Sequence, residues 1–348
     1  MKIYWNNVCD DALLGSINAA TADAKLDLLR LPQGGKLTRG PFQYKLLQAD
    51  KNAVVELKLR HHEFRLIAKF ATPSNRFQGI TAREGEQLRA VGATLRDLEA
   101  GRPLSILAYD ESSATLYMEK LAGTSLHSTL KRSLVERIVP GRCRAISKKV
   151  RVLGSQLAQL HTHCPHGDVS PMKYALATKL APLRTLVSRD NVLASGMRCF
   201  DEYHQPTEQL TWTHGNLRTD NVILTREGAS LIDLENAGSG DPMEDLGRLI
   251  AFIVVLRRYP VFPKSFWRSA VASLLEGYAS KSEPHGRRLV TAILGEILFL
   301  YGRDHVQSAR SWPKRLNGHQ LAAAVTHMVA ICDRDARQVL QNPDCLVR

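Results

Sequence analysis

No Cys-x-x-Cys pair occurs among Cys9, Cys143, Cys164, Cys199, Cys332 and Cys345, and no histidines cluster at zinc-ligand spacing. Scattered thiols in a chain of 348 residues suit a reducing compartment and argue against a disulfide framework or a cysteine metal centre. Most are expected to serve as small buried hydrophobes. Long apolar runs are missing too. The longest, Leu249 to Leu256, is bracketed by Arg248 and Arg257 and is far too short to span a bilayer, so a buried helix is predicted there. Near the start, Lys2 is followed by Asn6, Asn7, Asp10 and Asp11 before any apolar region, so no signal peptide is expected and the cytoplasm is the expected compartment. No internal repeat or low-complexity tract is present, and at 44% hydrophobic residues the chain can bury a full core and divide into two lobes.

Acidic residues are outnumbered, leaving a formal charge of +13. One basic stretch contains Lys131, Arg132, Arg137, Arg142, Arg144, Lys148, Lys149 and Arg151; others include Arg257, Arg258, Arg287, Arg288, Arg310, Lys314 and Arg315. Such charge attracts ATP, an anionic substrate, an anionic membrane face or nucleic acid. Few aromatics interleave with the first stretch, which argues against a single-strand stacking platform. Solvated helix faces are the first reading, an anionic substrate or membrane glycolipid the second, and nucleic acid the third.

The most informative segment reads His214-Gly215-Asn216, then Asn221, then Ile232-Asp233-Leu234-Glu235, then Gly240-Asp241-Pro242 and Asp245. Val222 to Leu224 and Leu231-Ile232 flank the turn Arg226-Glu227-Gly228 and predict a hairpin, which returns Asp233 close to Asn221. An amide oxygen and a carboxylate held side by side can share a magnesium ion whose other ligands are phosphate oxygens and water. Taken singly, each residue is more simply a member of a polar loop or an acidic turn. The ordered set is what favours joint chemistry.

This segment resembles the aminoglycoside phosphotransferase and choline kinase family of the protein-kinase-like fold, whose pattern is H-G-D-x-x-x-x-N, I-D-x-E and G-D-P-x-x-D-L. The resemblance implies that Asn221 and Asp233 bind Mg²⁺, that His214 belongs to the catalytic loop, and that Asp241 and Asp245 brace that loop from behind. One position departs: Asn216 stands where the family carries its carboxylate base. Arg218 lies where protein kinases place a lysine that contacts the transferred phosphate; it either supplies charge to the transition state or faces solvent.

Further marks of the fold lie upstream. Ala53 to Leu59 and Phe64 to Phe70 predict an antiparallel pair, and Leu88, Val91, Leu95 and Leu98 recur at helical spacing. By the same resemblance Lys69 contacts the α and β phosphates, with Glu84 as its ion-pair partner and Glu86 as the alternative. Leu104 to Tyr109 and Thr115 to Glu119 predict another hairpin, after which Glu119, Lys120 and Leu121 would offer backbone to adenine. The turn Gln48-Ala49-Asp50-Lys51-Asn52 lacks the glycines that let backbone N–H groups approach phosphates, although Asn52 falls on a frequent family position. Gly34-Gly35 is read as a bend. Leu153 to His163 looks like the helix that precedes a loop in this family. A second His-Gly-Asp, His166 to Asp168, follows it directly, has Lys173 at the position of the magnesium asparagine and is read as coincidence.

An amide accepts a hydrogen bond from a hydroxyl but cannot take its proton near neutral pH. General-base assistance contributes roughly 10²- to 10⁴-fold, whereas positioning and charge supply most of phosphoryl-transfer catalysis. Asn216 therefore suits a slow natural kinase, a nucleotide-binding pseudokinase acting as a scaffold, or a substitution introduced to trap a complex.

The expected fold is α+β, protein-kinase-like and two-lobed. Residues 1 to 40 form an N-terminal segment, 41 to 120 a small antiparallel β-sheet lobe with one helix, and 121 to 348 a larger, mainly helical lobe. Leu289 to Tyr301 and Leu321 to Val339 are helical in pattern and should wall the acceptor pocket. The expected reaction moves the ATP γ-phosphate to a hydroxyl of a small molecule, such as a sugar or an amino alcohol.

Overall fold

The structure is a computed structural model that describes residues 11–39, 42–49, 52–59, 65–71, 80–98, 104, 106–111, 114–135, 140–164, 175–205, 207, 210–226, 228–256, 264–302 and 318–332. These fall into two compact units, one drawn from Met1–Ala93 with Pro103–Ala122 and the other from Thr94–Arg102 with Gly123–Arg348.

In the first unit, α1 (Asp11–Arg30) is followed by β1 (Lys36–Arg39), β2 (Phe42–Ala49), β3 (Asn52–Leu59), β4 (Arg65–Ala71), α2 (Ile80–Asp97), β5 (Ile106–Asp110) and β6 (Thr115–Glu119). The strands form one antiparallel sheet in the order β1-β2-β3-β4-β6-β5. Alternation explains its faces, because successive side chains of a strand point to opposite sides. Phe42, Tyr44 and Leu46 of β2, Val55 and Leu57 of β3, and Leu66, Ala68 and Phe70 of β4 form one buried cluster. Ile17, Ala24 and Leu28 of α1 join it, so this helix covers that face of the sheet. Full burial of each Ile or Leu contributes about 1.5–3 kcal/mol, enough to fix a helix that local propensity leaves marginal.

Both α1 and β1 lie in the segment that the sequence places before the first lobe strand. The Gly34-Gly35 bend is observed: Gly34 has φ +84°, and the two glycines exchange backbone hydrogen bonds with Leu46 at 2.7 and 3.0 Å. That pairing ties the bend to β2 rather than leaving it open to a ligand.

The second unit contains β7 (Thr124–Ser125), α3 (Leu126–Val135), α4 (Pro140–His163), α5 (Leu176–Leu180), a 3₁₀ helix (Ala181–Arg189), α6 (Asn191–Tyr203) and β8 (Thr211–Thr213). Then follow β9 (Val222–Leu224), β10 (Ala229–Leu231), a 3₁₀ turn (Leu234–Asn236), β11 (Gly238–Gly240), α7 (Pro242–Leu256), α8 (Lys264–Ala279), α9 (Gly286–Tyr301) and α10 (Gly318–Cys332). The β9–β10 hairpin falls where the sequence predicts it, with β7 added on its outer edge, and β8 pairs separately with β11. Helix α9 is buried on nearly every side, as its continuous apolar run requires. Glycines let the helices approach closely. A Cβ at Gly154 of α4 would stand 2.1 Å from the Leu274 carbonyl oxygen, and one at Gly277 of α8 1.9 Å from that of Arg151.

Helix α10 ends at Cys332, so the remainder of the Leu321 to Val339 pattern lies outside the described residues, as do Asp50, Lys51, His166 to Asp168 and Lys173. Cys164, Cys199 and Cys332 are buried free thiols. No helix among the described residues is long and apolar enough to cross a membrane.

Candidate active site

Lys69 and Glu84 meet in the first unit. Alternation turns Lys69 to the face of β4 opposite Leu66, Ala68 and Phe70, and its Nζ lies 2.7 Å from the Glu84 carboxylate on α2. Both side chains are almost fully buried. A buried pair of this kind is held by its mutual geometry, since either charge alone in that place would be costly. Glu86, the sequence alternative, is exposed. Asn52 is the buried first residue of β3, paired in register with Ala71.

Glu119 closes β6 opposite Leu66, and Leu121 follows half-buried. The Lys120 ammonium lies 2.6 Å from Glu56, which also meets Arg65 at 3.2 Å. Burial opposes ionisation of Glu56, but the two cations outweigh it and hold the carboxyl below its usual range.

The loop His214 to Asn221 occupies the second unit, between β8 and β9. Asp245, in the first turn of α7, accepts the backbone N–H groups of His214 at 2.5 Å and Gly215 at 3.0 Å. Gly215 has φ +72°, a conformation that glycine adopts without Cβ strain. The His214 Nε2–H donates to the Ile232 carbonyl at 3.0 Å, while Nδ1 accepts the Asn216 N–H at 3.4 Å.

Asn221 and Asp233 are brought together through the hairpin. The Ile232 N–H donates to the Asn221 carbonyl at 3.0 Å, and the Asn221 amide nitrogen donates to the Asn216 carbonyl at 2.9 Å. With its nitrogen so committed, Asn221 has Oδ1 as its side-chain acceptor atom. Asp233 adopts a left-handed backbone (φ 65°, ψ 52°). Among non-glycine residues Asp and Asn tolerate this region best, and its local cost turns the carboxylate out of the strand path at the hairpin's end. An amide oxygen and a carboxylate are hard oxygen donors, the type magnesium selects.

Asp241 differs from the expectation. Its carboxylate pairs with Arg288 of α9 and accepts the Met243 N–H at 2.8 Å, capping α7. Its described contacts thus fall on α7 and α9, and the brace behind the loop is Asp245. Arg218 departs from the solvent-facing alternative: its guanidinium stacks 5.0 Å over the Phe252 ring and pairs with Asp220.

Several residues of this constellation are not among the candidates named from the sequence. His161 of α4 lies 3.4 Å from Asp245 through Nε2 and 2.9 Å from the Tyr278 hydroxyl through Nδ1. Arg248 donates to the Gly215 carbonyl and pairs with buried Glu296 at 2.5 Å, which Lys179 also approaches at 3.3 Å. Glu244 receives the Leu176 N–H at 3.1 Å on each oxygen, and burial pushes its carboxyl up to about 8. The apolar-helix pattern around Leu249 marks Arg248 only as a boundary. The Leu153 to His163 helix carries the family's L-x-x-L-H pattern as Leu157, Leu160 and His161, which marks the histidine but not its partners Asp245 and Tyr278.

The sheet unit, the helical unit and the His214 to Asp245 constellation define a protein-kinase-like fold. Residues 46–289 match the phosphotransferase enzyme family, and the chain belongs to that family. Solved structures agree on the fold. A choline/ethanolamine kinase family protein from Mesorhizobium loti aligns over 94% of this chain and 100% of its own at 17% identity, with TM-score 0.55. Choline kinase from Streptococcus pneumoniae aligns over 90% and 98% at 14% identity and 0.51. A spectinomycin phosphotransferase solved with AMP aligns over 84% and 93% at 13% identity and 0.51. No curated protein sequence matches the chain.

Proposed function

We propose that the chain is an ATP- and Mg²⁺-dependent phosphotransferase that moves the γ-phosphate to a hydroxyl of a small molecule. The observation that carries this reading is the hairpin bond from Ile232, the residue before Asp233, to Asn221 at 3.0 Å, with Asn221 oriented by its bond to the Asn216 carbonyl and Asp233 in a left-handed turn. Neighbours described as choline and spectinomycin kinases support the small-molecule acceptor.

Asn221 and Asp233 would hold magnesium, which when bound supplies positive charge beside the phosphate oxygens. Lys69, fixed by Glu84, would bind the α and β phosphates. Asn216 would accept a hydrogen bond from the acceptor hydroxyl and orient it. The acceptor oxygen forms a bond to the γ-phosphorus as the bond from that phosphorus to the bridging oxygen breaks; ADP departs with the electron pair and the hydroxyl proton passes to water. A loose transition state needs little basicity at the nucleophile, so positioning by Asn216 supports slow turnover.

Melting temperatures with ATP and Mg²⁺, separately and together, test this directly. ATP should stabilise the protein in a magnesium-dependent way, and the effect should vanish in Asp233→Ala. Asp233→Asn keeps the left-handed backbone while removing the charge, and should lose the same effect with less change in the unliganded fold. Absence of any shift at saturating nucleotide would overturn both this reading and that of a nucleotide-binding scaffold.

A further inference from the structure

We propose that the acceptor carries an oxyanion, a phosphate, sulfate or carboxylate near its reacting hydroxyl, and that Arg218, flanked by Lys131 and His127, binds it. This rests on the phosphotransferase reading above and narrows its acceptor class. Arg218 lies two residues beyond Asn216 on the same loop, and its guanidinium packs over Phe252 of α7, the helix whose Asp245 holds that loop.

The guanidinium is pinned on one face by the buried Phe252 ring, 5.0 Å away, and this contact does not depend on a counter-ion. Its ionic partner, Asp220, is 42% exposed and interacts locally with Thr219 and, at 3.8 Å, with His127. An exposed carboxylate on a loop makes a weak, exchangeable pair. An incoming oxyanion can displace Asp220 while Phe252 keeps the guanidinium in place, and the planar fork matches phosphate and carboxylate geometry.

The surrounding charge has the same sign. His127 on α3 is half-buried beside Thr219 and senses three charged groups: Asp220, Lys131 and Arg218. Burial lowers its basicity first; Asp220 opposes this, and the two cations add to it. Arg218 and Lys131 against Asp220 leave the cluster net positive. A quaternary ammonium or polyamine acceptor would meet repulsion here, whereas a hydroxyl compound bearing an oxyanion would be drawn in.

The test uses the full chain saturated with the non-hydrolysable ATP analogue AMP-PNP and Mg²⁺, so that nucleotide fills the γ-phosphate position as well as the α and β positions and sulfate cannot substitute for the transferred group. Inorganic sulfate is then titrated at constant ionic strength, with choline chloride as the cationic probe, and melting temperature is read. Sulfate should raise it saturably, by about 2 °C at tenfold over the dissociation constant, and choline should not. Arg218→Gln should abolish the sulfate response. Exposed Lys131→Gln, which leaves the loop untouched, should weaken it several-fold and guards against a folding defect in the first variant. An equal sulfate response in Arg218→Gln, no response in the parent, or stabilisation by choline overturns the proposal. The shift produced by AMP-PNP and Mg²⁺ is a separate readout. Its absence overturns the phosphotransferase reading itself, whereas an intact nucleotide shift without an Arg218-dependent sulfate response overturns the anion site alone.

Discussion

Asp245 holds the backbone N–H of His214 at 2.5 Å, so a residue of α7 fixes the start of the loop on which Asn216, Arg218 and Asn221 stand. The same carboxylate takes Gly215, and Arg248 one turn later grips the Gly215 carbonyl. Both polar groups of one peptide segment are thus satisfied from a single helix. Asp245→Asn keeps the shape but turns an amide N–H toward one of two backbone donors. Hydrogen bonds to charged groups contribute about 1.5–3 kcal/mol each. Urea unfolding should show a loss of about 2–3 kcal/mol, and magnesium-dependent ATP binding should weaken along with it. Unchanged nucleotide binding would show that the loop is held by other contacts.

Lys69 and Glu84 form the second buried charge system. Removing one partner strands the other, at a cost of about 3–5 kcal/mol, whereas replacing both by apolar residues of similar volume is often far milder. Lys69→Met alone should therefore destabilise more than the double variant Lys69→Met/Glu84→Leu. A double-mutant cycle by chemical denaturation checks this, and additive effects would mean that the 2.7 Å pair contributes little net coupling. Either variant should lose ATP-dependent stabilisation.

Glu244 ties stability to pH. Its folded carboxyl is raised to about 8 by burial, with the nearby Asp241, Glu296 and Asp245 acting in the same direction and the Leu176 N–H opposing them. The native state therefore holds a proton that the unfolded chain, with an ordinary value near 4.5, releases. This contribution is fully present below about 4.5, falls as pH rises, and is gone above about 8, with a limiting slope of about 1.4 kcal/mol per pH unit. Glu244→Gln should flatten the stability profile over that window and be relatively more stable at pH 8 than at pH 5. A profile parallel to that of the parent protein would contradict the assignment.

Local signals make part of the fold legible in the amino-acid order. The β9–β10 hairpin has a short turn between β-prone runs, β3 and β4 alternate, and α2 buries Leu88, Val91 and Leu95 at helical spacing. The Lys69–Glu84 pair is legible only through the family resemblance, since a strand lysine and a helix glutamate are by themselves ordinary surface residues. What stays hidden depends on separation in sequence. Arg248 and Glu296 are 48 residues apart, Asp241 and Arg288 47, and His161 and Tyr278 117. Each is an ordinary surface-type polar residue until tertiary packing joins it to its partner. Helix α1 is not legible because its apolar positions gain meaning only from the sheet face they cover. Gly154 and Gly277 likewise show no local reason for lacking a side chain. Substitution by alanine at either would force α4 and α8 apart, and a loss of about 1–3 kcal/mol or more is expected on thermal or urea unfolding.

Asn216 offers the most direct chemical prediction. The described contacts of this residue are made by its backbone: its N–H donates to His214 Nδ1, and its carbonyl accepts from Asn221. Asn216→Asp therefore changes one atom of a half-buried side chain without removing any of those bonds, and stability should shift by less than about 0.5 kcal/mol, as for ordinary surface substitutions. Reactivity should respond far more. A carboxylate can take the proton that an amide cannot, and general-base assistance adds roughly 10²- to 10⁴-fold. The rate of ADP formation from ATP and Mg²⁺, with water or a hydroxyl acceptor as nucleophile, should rise by about 10² or more in the variant. A rise of that size places the barrier at the missing base in a loop otherwise arranged for transfer. If ATP binds both proteins equally and neither forms ADP, the intact loop serves nucleotide-dependent scaffolding instead, because base chemistry would then not be what limits turnover.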